Sequence, residues 1–224
     1  NMYFALRGVL TSEEPDASQI VKSMQASLDQ YGYHHLMGNV SGNHDMPRFI
    51  ALAGKSLSPG EDPKEAGWNR KVGVKDPVGY KKLEQLHAFL MLAPGVPVVY
   101  YGDEIGMSGA DDPDNRRDMR FSGLNPNEAR VRATVIQLAQ LRGKSMAALY
   151  GQTTIVSPDQ EAFVLRRNYL DEELVLVLNL SGDSRTVKLP AQLDGTDWQD
   201  IAGVAIEVNG SLQVPANGFV VLQR

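Results

Sequence analysis

The sequence predicts an α/β segment, residues 1–144, followed by an all-β segment, residues 145–224. Three observations predict it. Two apolar runs, "HHLMGNV" and "GVPVVYYGDEIGM", alternate with stretches of helical periodicity, the order that builds a sheet covered by helices. The second run is continuously apolar, as in a parallel strand buried on both faces. From about Ser145 the texture changes to short β-rich runs separated by turn residues, the pattern of a small antiparallel sandwich.

Each element has a local reason. Met2 to Leu10 reads as a helix, and the chain as one that begins in the middle of it. In "DASQIVKSMQASLDQY", Ile20, Met24, Leu28 and Tyr31 recur on one face, with Asp16 or Ser18 as N-cap and Gly32 as the stop. "HHLMGNV" is a short strand running into "GNHD". Ser56 to Asp76 is rich in Pro, Gly and charge and reads as a long loop. "GYKKLEQLHAFLMLA" is a helix with Leu83, Leu86 and Leu90 inward, ended by Pro94, Gly95 and Pro97. Ala129 to Arg142 is an amphipathic helix with Val131, Val135 and Leu138 inward. The boundary falls near Gly143 to Ala148. Beyond it lie "TTIVSP", "EAFVLRRNY", "ELVLVLNLS", "RTVKLP", "AIEVNGSLQVP" and "GFVVLQR", with turn signals at Asp194–Gly195 and Asn209–Gly210.

Composition excludes several classes of function. The net charge of −5 argues against nucleic-acid and anionic-membrane partners, which require clustered basic charge. No apolar run approaches the roughly 18 residues that span a bilayer. The absence of cysteine removes disulfides and thiol catalysis. The start has neither the basic n-region nor the long apolar h-region of a signal peptide.

"GNVSGNHDMPR" places an imidazole and a carboxylate at the C-terminal end of a strand, which in a parallel α/β barrel faces the active site. There a His–Asp pair hydrogen-bonds sugar hydroxyls, and a carboxylate stabilises an oxocarbenium ion. By spacing alone, a turn with Asp45 as the N-cap of a helix starting at Met46 and Pro47 is the favoured reading. Asp103 and Glu104, ending the second strand, either line the same mouth or form a turn with solvated charges. "DDPDNRRDMRF" reads as a loop of internal ion pairs or as a substrate-contacting loop; its arginines fall where a calcium loop needs oxygen ligands. His34, His35 and His87 lack metal-ligand spacing, and His87 lies at the edge of a helical core face. Trp68 and Tyr100 are single aromatics, read as packing.

In combination, "NVSGNHDMPRF", "GVPVVYYGDEIGM" and "DPDNRRDM" resemble the α-amylase superfamily of retaining glycoside hydrolases, most nearly its neopullulanase and cyclomaltodextrinase branch. The resemblance implies that residues 1–144 are an incomplete, C-terminal part of a (β/α)8 TIM barrel carrying strands seven and eight. Residues 145–224 would be the antiparallel β-sandwich that follows it. Asp45 matches the third catalytic carboxylate, the transition-state stabiliser, and His44 its neighbour in the −1 subsite. Asn43 and Arg48 match flanking positions, Arg48 being structural or orienting a carboxylate. Asp112, Asp114 and Arg116 fall on the loop after strand eight, near the substrate cleft.

The superfamily's nucleophile and acid/base motifs precede the seventh strand, and residues 1–38 contain neither. The resemblance therefore implies a C-terminal portion of a longer enzyme acting on α-glucan oligosaccharides, inactive alone and prone to self-association through uncovered strands. It implies no cofactor for this chain, since calcium in the parent enzyme would be held largely upstream. The compartment stays open, with a secreted or periplasmic parent favoured over a cytoplasmic one if the source is bacterial. The alternative of another class is a non-catalytic glucan-binding or structural module, which would need an aromatic platform that 7% aromatics do not obviously supply.

Overall fold

The computed structural model describes residues 2–188, 198–203, 206–208 and 211–224. The helical part holds α1 (Met2–Thr11), α2 (Ala17–Tyr31), α3 (Phe49–Ala53), α4 (Pro63–Asn69), α5 (Val78–Leu92), α6 (Pro126–Lys144) and α7 (Met146–Tyr150). Two short strands, β1 (Gly38–Val40) and β2 (Val96–Val98), pair in parallel between them. Eight further strands follow: β3 (Gln152–Asp159), β4 (Ala162–Tyr169), β5 (Glu172–Asn179), β6 (Arg185–Lys188), β7 (Gln199–Gly203), β8 (Ile206–Val208), β9 (Ser211–Val214) and β10 (Phe219–Gln223). They form a five-stranded sheet, β3-β4-β5-β10-β7, and a three-stranded sheet, β6-β9-β8, both antiparallel. The Asp194–Gly195 and Asn209–Gly210 turns lie outside the described residues.

Helix boundaries follow local chemistry. The Asp16 carboxylate accepts from the Ser18 amide at the start of α2, and Gly32, at φ 83°, closes it. Ile20, Met24 and Leu28 are buried as their spacing requires, but Tyr31 is 53% exposed because it sits in the last turn, past the packing surface. α6 begins three residues before Ala129, since Asn125 and Glu128 form a capping box with Pro126 at the first position. The expected loop Ser56–Asp76 contains α4, whose start the sequence encodes in the same way: Asp62 accepts from the Lys64 and Glu65 amides and Pro63 opens the helix. Gly67 lies inside α4 because a Cβ there would come within 2.9 Å of the Asp114 Cβ.

The five-stranded sheet is a middle layer. In β5, Leu174, Leu176 and Leu178 join Phe163, Leu165 and Val221 in a core shared with α1, α2, α5 and α6. The alternate residues Val175 and Val177 join Val164, Val220 and Leu222 against Val187, Leu212 and Val214 of the second sheet. Burial on both faces explains why "ELVLVLNL" is apolar throughout, where a half-solvated antiparallel strand would alternate. The opposite holds for β2. Val96 and Val98 are 43% and 44% exposed, so the expected burial on both faces is not met. Among the described residues β2 pairs only with β1, and its other edge is unpaired.

Two buried arginines fasten the end of α5 to the layers beneath it. Arg142 of α6 donates to the carbonyls of Met91, Ala93 and Gly95 at 2.6, 3.2 and 2.5 Å, and Arg167 of β4 donates to that of Leu92 at 3.3 Å. The Met91 and Leu92 carbonyls are among those that the last turn of a helix leaves without partners, and Ala93 and Gly95 belong to the segment that leads into β2. Burial, with Arg142 nearby, pushes the Arg167 guanidinium down to about 10. Phe89 of α5 meets Phe163 of β4 with ring centroids 5.6 Å apart. Phe163→Ala should therefore cost about 3–5 kcal/mol, and in denaturant titrations the helical and sheet signals should shift together; separate transitions would contradict a shared core.

Candidate active site

Both parallel strands end on the same side, and each releases a loop there. The loop after β1 is held by a hydrogen bond from the Ser41 amide to the Val98 carbonyl, 2.9 Å. The loop after β2 turns at Gly102, at φ 87°, where a Cβ would strike the Met107 sulfur at 2.6 Å. Asp103 is thereby carried inward. It is 2% exposed and its carboxylate is fully engaged: Arg48 Nη1 lies 2.9 Å from Oδ1, and the Ser41 hydroxyl donates to Oδ2 at 2.6 Å. Asp103 is thus neither a mouth residue nor a solvated turn charge. Burial raises its pKa, and Arg48 and Ser41 oppose that rise.

Arg48 is equally buried. Beyond Asp103 it donates to the carbonyls of Asn115, at 2.9 Å, and Tyr101, at 2.5 Å. Its guanidinium lies 4.1 and 4.8 Å from the ring centroids of Tyr100 and Tyr101. Tyr100 is therefore a packing partner for a cation. Arg48 reaches no solvent and takes no place among the exposed site residues; it ties the two loops together from beneath. His87, expected at a core edge, is completely buried in α5. Its Nε2 lies 3.1 Å from the Asp103 carbonyl, which assigns the ring proton to Nε2. Burial lowers its pKa to about 4.

Above this base the structure brings together Asn43, His44, Asp45, Asp112 and Arg116. The Asn43 side chain accepts from the Asp45 amide at 2.8 Å, a local turn that leaves the Asp45 carboxylate free to project. His44 Nε2 lies 3.3 Å from Asp45 Oδ2, and both side chains are largely exposed. Arg116 reaches across from the second loop, 3.5 Å from Asp45 Oδ1, 3.1 Å from Asp112 Oδ1 and 3.2 Å from the His44 carbonyl. Asp45 does not cap a helix. α3 starts at Phe49, with Arg48 at the cap position and no side-chain cap, so the favoured spacing-based reading of this residue is corrected. A cap at Asp45 would take the amides of Pro47 and Arg48, but proline has none and Arg48 gives its own to the Gly109 carbonyl at 3.1 Å.

Asp114 is not part of this group. Its carboxylate takes two hydrogen bonds from Arg117, at 2.9 and 2.7 Å, and one from the Ala110 amide at 2.8 Å. The loop is thus internally ion-paired at Asp114 and site-facing at Arg116. Sequence reading missed Asn115, wholly buried between the two, whose amide donates to the carbonyls of His44 and Met46 at 2.9 and 2.8 Å. It also missed Ser41 and the inward turn of Asp103; the glycines flanking "DEI" were the available signal. Trp68, read from the sequence as packing, is instead 70% exposed on α4. No group of three or more metal-ligating side chains occurs among the described residues, and no described helix is long and apolar enough to cross a membrane.

The arrangement is a layered α/β protein with a polar cluster on loops at the carboxyl ends of parallel strands, the class in which such loops carry chemistry. Solved structures share its fold over the whole length. An alpha-amylase from Geobacillus thermoleovorans, complexed with acarbose, matches 99% of this chain and 46% of its own at 23% identity and a TM-score of 0.75. A debranching enzyme from Nostoc punctiforme matches 100% and 45%, at 20% identity and a TM-score of 0.76. The sequence profile described as "Alpha amylase, catalytic domain" fits residues 8–146, and the chain belongs to that family. A maltogenic alpha-amylase of Bacillus acidopullulyticus is 25% identical over 193 residues, 83% of this chain and 29% of its own length. A neopullulanase 2 of Thermoactinomyces vulgaris is 34% identical over 115 residues, 50% of this chain and 20% of its own. The chain spans less than a third of the length of these curated relatives.

Two outcomes follow from the buried base. Unfolded His87 protonates near 6.5 and folded His87 near 4, so the unfolded state binds more protons between those values and stability rises with pH across that window. The contribution, about 3 kcal/mol above pH 6.5, is lost as pH falls to 4, and urea titrations of His87→Gln should lack that slope. Arg48→Met strands a buried carboxylate and should cost about 3–5 kcal/mol; adding Asp103→Leu should recover most of it, and no recovery would mean that the pair is not the cause.

Proposed function

We propose that this chain supplies part of the catalytic site of a retaining glycoside hydrolase acting on α-glucans such as maltooligosaccharides, pullulan or cyclodextrins. The observation that carries the reading is the Asn43-His44-Asp45 cluster, projecting from the end of a parallel strand in a chain of the alpha-amylase catalytic-domain family. In this reading Asp45 holds sugar hydroxyls and stabilises positive charge on the anomeric carbon in the transition state. His44 and Asn43 hydrogen-bond the same sugar, and Arg116 with Asp112 flanks the cleft. Arg48 orients the loop from below, and Asp114 shapes the second loop.

Residues 1–144 then act as the last part of a barrel and residues 145–224 as the sandwich that supports it. A retaining mechanism uses two carboxylates about 5–5.5 Å apart, one nucleophile and one acid/base. Asp45 is neither in this assignment, so the 224-residue chain alone is inactive and the activity belongs to a protein that also carries those two groups. The open face of β1 and β2 is where such a protein would continue, and in its absence copies of the chain associate there. A secreted or periplasmic site of action suits a polymer too large to cross a membrane unaided.

Release of new reducing ends from a maltooligosaccharide tests this. The folded 224-residue chain should release none. In the protein that also carries the nucleophile and acid, Asp45→Asn should lower kcat about 10²–10³-fold. Turnover by the chain alone would overturn the division of the site, and full turnover by the variant would overturn the role of Asp45.

A further inference from the structure

We infer that Asn115 is the positioning residue of Asp45. The assignment rests on the reading of Asp45 as catalytic, and it concerns a residue that touches neither substrate nor the Asp45 carboxylate. Its amide nitrogen donates to the carbonyls of His44 and Met46, at 2.9 and 2.8 Å, the two residues that flank Asp45. Two carbonyl acceptors fix which end of the amide faces them, because only the NH2 end has donors. The residue is fully buried, on the short helical turn Asp114–Arg116. Its own backbone is held in turn, since its carbonyl accepts from Arg48 Nε at 2.9 Å.

The clasp is therefore a closed circuit between the loops. Arg48, three residues after Asp45, grips the backbone of Asn115, and the side chain of Asn115 grips the backbone on both sides of Asp45. The Arg48 amide adds a bond to the Gly109 carbonyl, 3.1 Å, at the other end of the second loop. Asp45 itself is exposed, and its ion pairs with His44 and Arg116, at 3.3 and 3.5 Å, are too open to define its direction. Its direction is set at the backbone instead. Neither Ala nor Asp can replace Asn here: Ala has no donor, and Asp sets a carboxylate against two carbonyls.

The test has two arms. In the protein with the complete site, Asn115→Ala should lower kcat on a maltooligosaccharide about 10²-fold with KM within about twofold. Made in the Asp45→Asn background, the same change should lower the residual rate no further, because there is no functional carboxylate left to misplace. A residue needed only for folding would reduce both backgrounds equally, and that result, or a loss confined to KM, overturns the assignment. In the second arm, hydrogen exchange of the 224-residue chain reads the loop without activity. Asn115→Ala should speed exchange at residues 43–48 and leave β5 unchanged, whereas unchanged exchange at 43–48 overturns the clasp. If the variant is too unstable, Asn115→Ser, which keeps one donor, is read in its place and should fall between the two. Full activity of Asp45→Asn would instead refute the functional reading, while the exchange arm still decides the clasp.

Discussion

The ion pair between Arg48 and Asp103 is the fixed point of the molecule's functional end. Each residue comes from a different loop, each is about 2% exposed, and each is the other's only opposite charge within contact distance among the described residues. An isolated carboxylate at that depth would neutralise itself, and its pKa is indeed drawn upward by burial. What keeps it a hydrogen-bond acceptor is the number of donors aimed at it, one on each oxygen. Arginine suits the position better than lysine because a planar guanidinium can hold Asp103, two carbonyls and two tyrosine faces at once. Such a pair adds little net stability over an apolar substitute. Its contribution is registry: it allows one relative placement of the two loops.

That registry rests on deeper layers. α5 runs directly into β2, and its final carbonyls are held by Arg142 from α6 and Arg167 from β4. Gln85, also on α5, donates to the carbonyls of Asn179 and Gly218, at 2.7 and 2.9 Å, at the far end of β5. The five-stranded sheet thus grips α5 at two points and through Phe163 between them. His87, one turn along from Leu83, presents its ring to the Asp103 carbonyl from the same helix. The β-rich part is joined to the α/β part by a continuous core and by these directed bonds.

Much of this was legible. The helical periods of α2, α5 and α6 and the β-rich runs after residue 145 follow from the pleat and the helical repeat, which side chains must obey wherever a core exists. α4 was written in Asp62 and Pro63 but hidden by the glycines and charges around it. The exposure of Val96 and Val98 was not legible, because an apolar strand carries the same sequence whether or not its covering layer is present in the chain. At the candidate site, Asn43, His44, Asp45, Asp112 and Arg116 could be named only through the motif resemblance, since spacing alone read Asp45 as a helix cap and the second loop as ion pairs or a substrate contact. Asp103 and Asp114 carry the same chemistry and are spent on Arg48 and Arg117 instead. Composition cannot separate a carboxylate that faces solvent from one that faces an arginine inside. Asn115 gave no signal at all, since its work is done on two backbone carbonyls that no side-chain pattern records.

The distribution of burial assigns labour within the site. Groups below the loop surface have all their polar bonds inside the protein and a single geometry; those above it, His44 and Asp45, have short local contacts and wide exposure. In the proposed role, Asp45 would gain from a low-dielectric setting in stabilising a transient positive charge, and its side chain is 68% exposed here. Among the described residues, β1 and β2 pair only with each other, and Val96 and Val98 are 43% and 44% exposed. Placement and desolvation are therefore separate contributions in the proposed role: the buried base fixes where Asp45 stands, and enclosure by a bound sugar would set how strongly its charge acts.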